Sequence, residues 1–260
     1  MPAECPDCGS RLIGRFGAGT EQVEEKCAEL FPGVVIDRLD LDSVKKKGQL
    51  ESVLKRFGEG KTDILVGTQL VAKGLDFANV GLVGIISADT TLNIPDFRSS
   101  ERTFQLMTQA AGRSGRGDEP GKVIIQTYSP DAPALIFASR HDYRGFYEHE
   151  ISVRSAAGYP PFSDIYQLVT ADENDALAYE SAERCAKWLR KKLPSAAVLG
   201  PAPGVLVKTA GMFRYQILIK SPAGNRRTVS AAVTQLREKY AQQKGVAALL
   251  TLDINPYSLI

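Results

Sequence analysis

The chain has 260 residues, 43% of them hydrophobic and 24% charged, a balance that excludes a disordered chain, a collagen and a simple coiled coil. No run approaches the ~18 apolar residues of a membrane-spanning helix, Met1-Pro2-Ala3-Glu4-Cys5 lacks the apolar core of a signal peptide, and four cysteines are too few for a disulfide scaffold, which places the chain in the reducing cytoplasm. The net charge of +2 conceals a split: residues 1–150 carry 18 Lys/Arg against 22 Asp/Glu, net −4, and residues 151–260 carry 14 against 8, net +6, a basic C-terminal part of the kind that meets polyanions.

In chain order, a short Cys/Gly-containing leader (1–15) precedes alternating helical and strand-like segments. Val23, Cys27 and Leu30 fall on one helix face, and Thr20 is placed to cap that helix. Pro32-Gly33 stops it, and Val34-Val35-Ile36 reads as a short strand. Val53, Leu54 and Phe57 belong to a second helix. Ile64-Leu65-Val66 and Leu82 to Ile86 are continuous apolar runs of the kind that parallel strands buried on both faces show. Glu101 to Ala111 reads as a helix and Val123-Ile124-Ile125 as a strand. Strands alternating with helices imply right-handed βαβ units and a parallel sheet. A boundary falls near Tyr147 to Pro161, set at 148/149. The remainder reads strand (165–169), helix (175–192), extended segment (197–207), strand (215–220), helix (227–242), strand (248–254). That βαββαβ order is a small α+β sandwich.

Three segments carry chemistry. Gln109-Ala110-Ala111-Gly112-Arg113-Ser114-Gly115-Arg116 puts two arginines three apart at a helix end, with small residues that let a ligand approach the backbone. Paired guanidiniums fork onto phosphate oxygens and can stabilise a transferring γ-phosphate. The same residues alone also read as a solvated basic helix end favoured by the dipole. Gly67-Thr68, at the carboxyl end of the strand ending at Val66, begins the run to Phe77, and ligands bind open α/β sheets at that end. Thr68 can donate to a phosphate and Asp76, beside Gly74, can accept from a ribose hydroxyl. An ordinary loop with a solvated Lys73 and Asp76 as a cap is the alternative. Gly17-Ala18-Gly19-Thr20 opens the first helix, where backbone N–H groups make an anion site or where Thr20 merely caps.

Read together, GAGTEQVEEKCAELFPGV, ILVGTQLVAKGLDFANVGLVGIISAD and PDFRSSERTFQLMTQAAGRSGRG, in this order and spacing, resemble the second RecA-like lobe of a superfamily 2 helicase. More narrowly the chain resembles the primosomal protein N′ (PriA) family of bacterial replication-restart DNA helicases. GYPPF, LGPAP and the ending Leu252-Asp253-Ile254-Asn255-Pro256 resemble that family's C-terminal domain. The resemblance implies a remnant of a zinc-binding region over 1–15, a helicase lobe over 16–148 and a DNA- and partner-binding domain over 149–260. It implies that Arg113 and Arg116 reach the ATP phosphates, that Gln109, Gly74 and Asp76 complete this wall of the nucleotide site, and that Gly19, Thr20, Gly67 and Thr68 meet the DNA backbone. ATP with Mg²⁺, branched or single-stranded DNA, single-strand-binding protein and primosome proteins are the implied cofactors and partners, and ATP-driven 3′ to 5′ unwinding the implied reaction.

The residues also mark what the pattern lacks. A phosphate cradle reads G-x-x-x-x-G-K-[ST] between strand and helix. Gly60-Lys61-Thr62 precedes a strand, and Lys55 stands where the first glycine is needed, so this is a surface turn. Asp172-Glu173 lies downstream of the arginine motif and reads as an acidic helix start. The chain therefore reads as the C-terminal part of a longer helicase without the P-loop lobe, with no ATPase activity of its own expected. Cys5-Pro6-Asp7-Cys8 supplies two ligands of a four-coordinate zinc, an incomplete site. Cys27 and Cys185 read as core residues, and His141 and His149 have no ligand spacing. Trp188 reads as core. Arg214-Tyr215, Arg226-Arg227 and Lys45-Lys46-Lys47 read equally as nucleic-acid contacts or solvated faces. A stand-alone binding module without motor activity is the alternative function. An unrelated Rossmann-like enzyme would need G-x-G-x-x-G after the first strand, which is not there.

Overall fold

A computed structural model describes residues 19–40, 48–68, 80–112, 121–222, 224–242 and 248–259. The chain forms two compact units. One comprises Met1–Asn93 and Glu101–Tyr143, the other Ile94–Ser100 and Arg144–Ile260. The boundary expected at 148/149 thus lies inside a continuous helix, Tyr143–Ala157.

In the first unit, helix α1 (Thr20–Leu30) leads through a turn at Gly33, where φ is +87°, to strand β1 (Ile36–Leu39). Helix α2 (Gln49–Gly58) leads to strand β2 (Ile64–Gly67). β1 and β2 are parallel, in register from Ile36 opposite Ile64 to Leu39 opposite Gly67. The first strand starts at Ile36, two residues after the apolar run begins; Val35 instead bonds ahead of the sheet, its N–H to the Asp63 carboxylate at 2.9 Å. Strand β3 (Leu82–Ile85), the one-turn helix α3 (Asp89–Leu92), helix α4 (Ser99–Ala111) and strand β4 (Lys122–Ile125) follow. β3 and β4 are also parallel, and helices α5 (Pro133–Ser139) and α6 (Tyr143–Ala157) come after them. Among the described residues β3 and β4 pair only with each other. Leu82 and Ile124 are half or more exposed, so burial on both faces is not what these strands show. α4 buries Thr103, Phe104, Met107 and Ala110, the i, i+1, i+4, i+7 stripe of an amphipathic helix.

The second unit is a four-stranded antiparallel sheet with two helices. Strands β5 (Ser163–Asp172), β6 (Ala197–Thr209), β7 (Met212–Pro222) and β8 (Leu249–Ile254) lie in the order β6-β7-β5-β8, with helix α7 (Asp175–Lys192) after β5 and helix α8 (Arg226–Ala241) after β7. This is the βαββαβ arrangement. Pleating sends Tyr166 and Leu168 of β5 and their partners Ile219 and Ile217 of β7 to one face. There they pack with Cys185, Ala186 and Leu189 of α7 and Val229, Val233 and Leu236 of α8. α7 starts at Asn174, whose carboxamide oxygen accepts the Leu177 N–H at 3.2 Å, and Asp172 accepts the Asn174 N–H at 2.8 Å. The acids at 172–175 serve this helix start. α7 ends in Arg190, Lys191 and Lys192, which suit the helix dipole. Gly200 holds a φ of +91°, and a Cβ there would lie 2.6 Å from the Gln216 carbonyl oxygen, so the bulge in β6 requires glycine. No described helix is long and apolar enough to cross a membrane.

Candidate nucleic-acid interface

The carboxyl ends of β1 and β2 bring the two Gly-Thr pairs together. Gly67 and Thr68 are exposed at the end of β2, with Gly67 opposite Leu39 and the Thr68 N–H on the Leu39 carbonyl at 3.4 Å. One residue past Leu39, Asp40 accepts the Thr20 hydroxyl at 2.5 Å. The N-terminus of α1 and the end of β2 therefore meet at one edge. The helix cap is Gly19, extended at φ −63° and ψ 155°, with Thr20 as the first helical residue. Thr20 is not the cap expected of it. Its proton points to Asp40, and what the helix start offers an anion is the N–H groups of its first turn, which no side chain caps among the described residues. Arg38 offsets part of the negative charge around it, lying 3.3 Å from Asp40, 3.5 Å from Glu24 and 3.8 Å from Glu21.

Of the residues expected at the nucleotide, only Gln109 is described. Gln109 is exposed on the last turn of α4, and the Gly112 N–H closes that turn on the Thr108 carbonyl at 3.0 Å. Arg113 and Arg116, Gly74 and Asp76, Cys5 and Cys8, and Lys45 to Lys47 lie outside the described residues.

The sequence reading passed over Asp89, the first residue of α3. Its side chain is buried and accepts the Thr127 hydroxyl at 3.1 Å and the Tyr128 N–H at 3.0 Å, fastening the end of β3 to the end of β4. Burial pushes its carboxyl up, but these hydrogen bonds, with those from Ser129 and its own amide, hold it below the ordinary carboxylate value. A single acid after a strand carries no motif that would announce this.

Other candidates resolve. Lys61 is exposed and pairs with Glu59 at 2.6 Å, and the buried Thr62 bonds Asp37, so Gly60-Lys61-Thr62 is the turn into β2. Tyr215 donates to Asp175 at 2.8 Å and sets its ring edge-on to Tyr179 at 5.3 Å, which ties it to the helix start. Its hydrogen bond to Asp175 raises its pKa. Trp188 is half-buried against the core, as expected, and carries Lys192 at 5.8 Å and Lys239 at 5.5 Å from its ring centre. Neither lysine has an ion-pair partner among the described residues.

No group of three His, Cys, Asp or Glu is disposed for a metal among the described residues; Cys5 and Cys8 lie outside them. Cys185 sits in the core, its thiol pushed up to about 11 by burial, which is inert behaviour. Cys27 on α1 is half-buried.

Residues 15–118 match the Helicase conserved C-terminal domain, and residues 155–257 match the Primosomal protein N C-terminal domain. The chain is similar to the replication restart protein PriA of Bacillus subtilis, with 42% identity over 264 residues, covering 100% of this chain and 32% of that protein. The Synechocystis protein of the same name is 37% identical over 260 residues, covering 100% and 31%. That of Haemophilus influenzae is 36% identical over 260 residues, covering 100% and 35%. The chain spans about a third of the length of these curated relatives. A helicase C-terminal domain and a primosomal C-terminal domain in this order, with relatives of one name aligned along the whole of this chain, mean that the chain belongs to the PriA family of replication restart proteins.

Proposed function

We propose that the chain supplies the second RecA-like lobe and the C-terminal domain of an ATP-dependent 3′ to 5′ DNA helicase that restarts replication in the cytoplasm. The observation that carries this reading is the convergence of Gly19-Thr20 and Gly67-Thr68 on the carboxyl edge of parallel β1 and β2. There the N–H groups of the first turn of α1, uncapped by any side chain among the described residues, lie at the same edge as the exposed Thr68. That edge takes the DNA backbone. Gln109, Arg113 and Arg116, with Gly74 and Asp76, form this chain's share of the ATP·Mg²⁺ site; ATP supplies the transferable γ-phosphate. The two guanidiniums bind phosphate oxygens and offset charge there, and Asp76 holds the ribose hydroxyl. Lys192 and Lys239 of the basic C-terminal unit meet phosphates of branched or single-stranded DNA. Single-strand-binding protein and primosome proteins are the further partners. Zinc belongs to the parent protein: Cys5 and Cys8 contribute half a ligand set.

The chain alone hydrolyses no ATP, because the P-loop half of the site is elsewhere. Mixing it with a relative's P-loop lobe should restore DNA-stimulated ATPase, and Arg116→Ala should abolish that activity. ATPase from the chain alone, sensitive to the same substitution, overturns the reading. DNA binding by the chain with no ATPase in the reconstituted mixture favours a binding module without motor activity.

A further inference from the structure

The sheet of the second unit has two unlike faces. Tyr166 and Leu168 of β5 pack in the core with α7 and α8, so the alternation of a strand sends Gln167, Val169 and Ala171 to the opposite face. On β7, Gln216 lies opposite Val169 and Arg214 opposite Ala171. The chain's own tail, residues 256–259, folds over this face. Gln167 donates to the Leu259 carbonyl at 3.0 Å, and Leu259 closes a cavity over Gln167, Val169, Gly204, Arg214 and Gln216. The cavity holds about 10 Å³, no more than one water needs.

Arg214 is the anomaly at this cavity. Its side chain is half-buried and has no hydrogen bond or ion pair among the described residues. A guanidinium carries five N–H donors and no acceptor, and withdrawing it from water without a partner is unfavourable. Gln216, two residues on along β7, accepts from Gln167 through its carboxamide oxygen at 3.2 Å, and its N–H₂ has no acceptor among the described residues. On the neighbouring strand stands Gly204, where a Cβ would come 3.3 Å from Arg214 Cβ, so no side chain crowds the guanidinium from there. Two sets of donors thus meet at a face that the tail shuts.

The tail is held down by residues 94–100, which pack in the same unit. The buried Asp96 accepts the Leu259 N–H at 3.1 Å and the Ser258 hydroxyl at 3.2 Å through Oδ2. Arg98 Nη1 donates to the Pro256 carbonyl at 2.8 Å and the Tyr257 carbonyl at 3.3 Å. Asn255, just before the tail, is fixed to the Ile165 backbone by hydrogen bonds of 2.7 and 2.9 Å, so the tail turns from an anchored residue. We propose that residues 256–259 form a lid, latched by Asp96 and Arg98, over a phosphate-binding site made by Arg214 and Gln216, and that the lid lifts to admit a single-stranded nucleic acid. The guanidinium and the carboxamide N–H₂ take a backbone phosphate, and the apolar Val169 and Val205 beside them leave room for an unpaired base to lie on the sheet. The inference rests on the reading of the second unit as one that meets DNA. A strand that binds only the open state has its affinity reduced by the fraction open, so loosening the latch strengthens binding without any new contact.

The test uses Asp96→Asn in the whole chain, read by fluorescence anisotropy with a labelled oligothymidylate. Asparagine keeps an oxygen for the Arg98 N–H but sets an N–H₂ against the Leu259 N–H. Amide exchange at Leu259 should quicken while β5 and β7 keep their protection, and affinity for the single strand should rise ~10-fold. Adding Arg214→Ala should cancel the gain and make log K against log salt shallower by about 0.7, one phosphate contact. Arg98→Ala loosens the tail through different atoms and should raise affinity in the same way; it decides the matter if β5 and β7 lose protection in the Asp96→Asn chain. A tail that exchanges faster with no gain in affinity overturns the proposal, as does a gain that survives Arg214→Ala, or a tail that neither variant loosens. Binding that depends on Lys192 and Lys239 but is blind to the latch leaves the DNA reading of this unit standing and removes only the lid. A chain that binds no single strand in any of these forms removes both.

Discussion

Replacing Lys192 and Lys239 by glutamine tests where the basic C-terminal unit meets DNA. The two ammonium groups flank one indole and have no carboxylate partner among the described residues, so both are available to phosphates. Glutamine shortens the stem and forfeits two cation–π contacts, a cost of about 1–2 kcal/mol that leaves the fold intact. Each phosphate contact with a single strand contributes about 0.7 to the slope of log K against log salt, so the double variant should be shallower by about 1.4. Between about 50 and 200 mM salt, its salt-driven loss of affinity should be roughly sevenfold smaller than that of the unmodified chain. Fluorescence anisotropy with a labelled single strand reads this directly. Lys55→Gln with Lys61→Gln removes the same charge from lysines that pair with Glu59 and should leave the slope alone. A double variant at Lys192 and Lys239 with the unmodified slope, or a control pair with the same drop, would refute the placement.

Three further outcomes follow from the packing. Leu189→Ala opens a cavity in the core of the second unit, where Leu189 is fully buried, and should cost ~3 kcal/mol and lower Tm by roughly 10 °C in calorimetry; Leu199→Ala, on the exposed side of β6, should cost under ~1 kcal/mol. Gly200→Ala forces a side chain into a φ of +91° and against the Gln216 carbonyl, so denaturant titration should show a loss of at least about 2 kcal/mol, more than that of Ala at Gly211, where φ is +83° and the backbone strain is shared but nothing lies within 4 Å of the new Cβ. Asp89 has its folded pKa below the ordinary carboxylate value; its contribution is therefore present above about pH 4 and is lost as pH falls through the folded pKa. Asp89→Asn should flatten the acid limb of a stability–pH profile, and an unchanged limb would show that this carboxylate does not link β3 to β4.

The second unit was the more legible in sequence because its elements alternate cleanly. Strand runs of period two flank two helices with apolar stripes, and every one of the six expected elements lies where its pattern put it, within a few residues at each end. β5 is buried along most of its length on both faces, a pattern its apolar composition allows but cannot explain. One face packs on α7 and α8; on the other, Gln167 holds the Leu259 carbonyl of the tail. Nothing periodic joins residues 94–100 to residues 256–259. Their contacts depend on single hydrogen bonds across more than 150 residues of chain, which is why residues 95–100 read in sequence only as part of the segment that resembles the helicase lobe.

The candidate site was legible as a location and less so as a set of atoms. Glycine and threonine before an amphipathic run mark a helix start, but which of them caps depends on one residue's backbone angles. Gly19 took the extended conformation, and the Thr20 hydroxyl turned to Asp40, twenty residues on. That choice changes the chemistry at the edge. A threonine whose proton is committed to a carboxylate cannot also donate it to a phosphate, so an anion there is met by backbone N–H groups, and Arg38 offsets part of the repulsion from the neighbouring carboxylates. Thr20→Val should then leave backbone donation in place and leave Asp40 its ion pair with Arg38, whereas Arg38→Ala removes the cation beside Asp40, Glu24 and Glu21 at the helix start. If the edge binds DNA as proposed, Arg38→Ala weakens binding more than Thr20→Val does, most at low salt, where charges this far apart are least screened. The reverse order would mean that the Thr20 hydroxyl, and not the helix start, makes the contact.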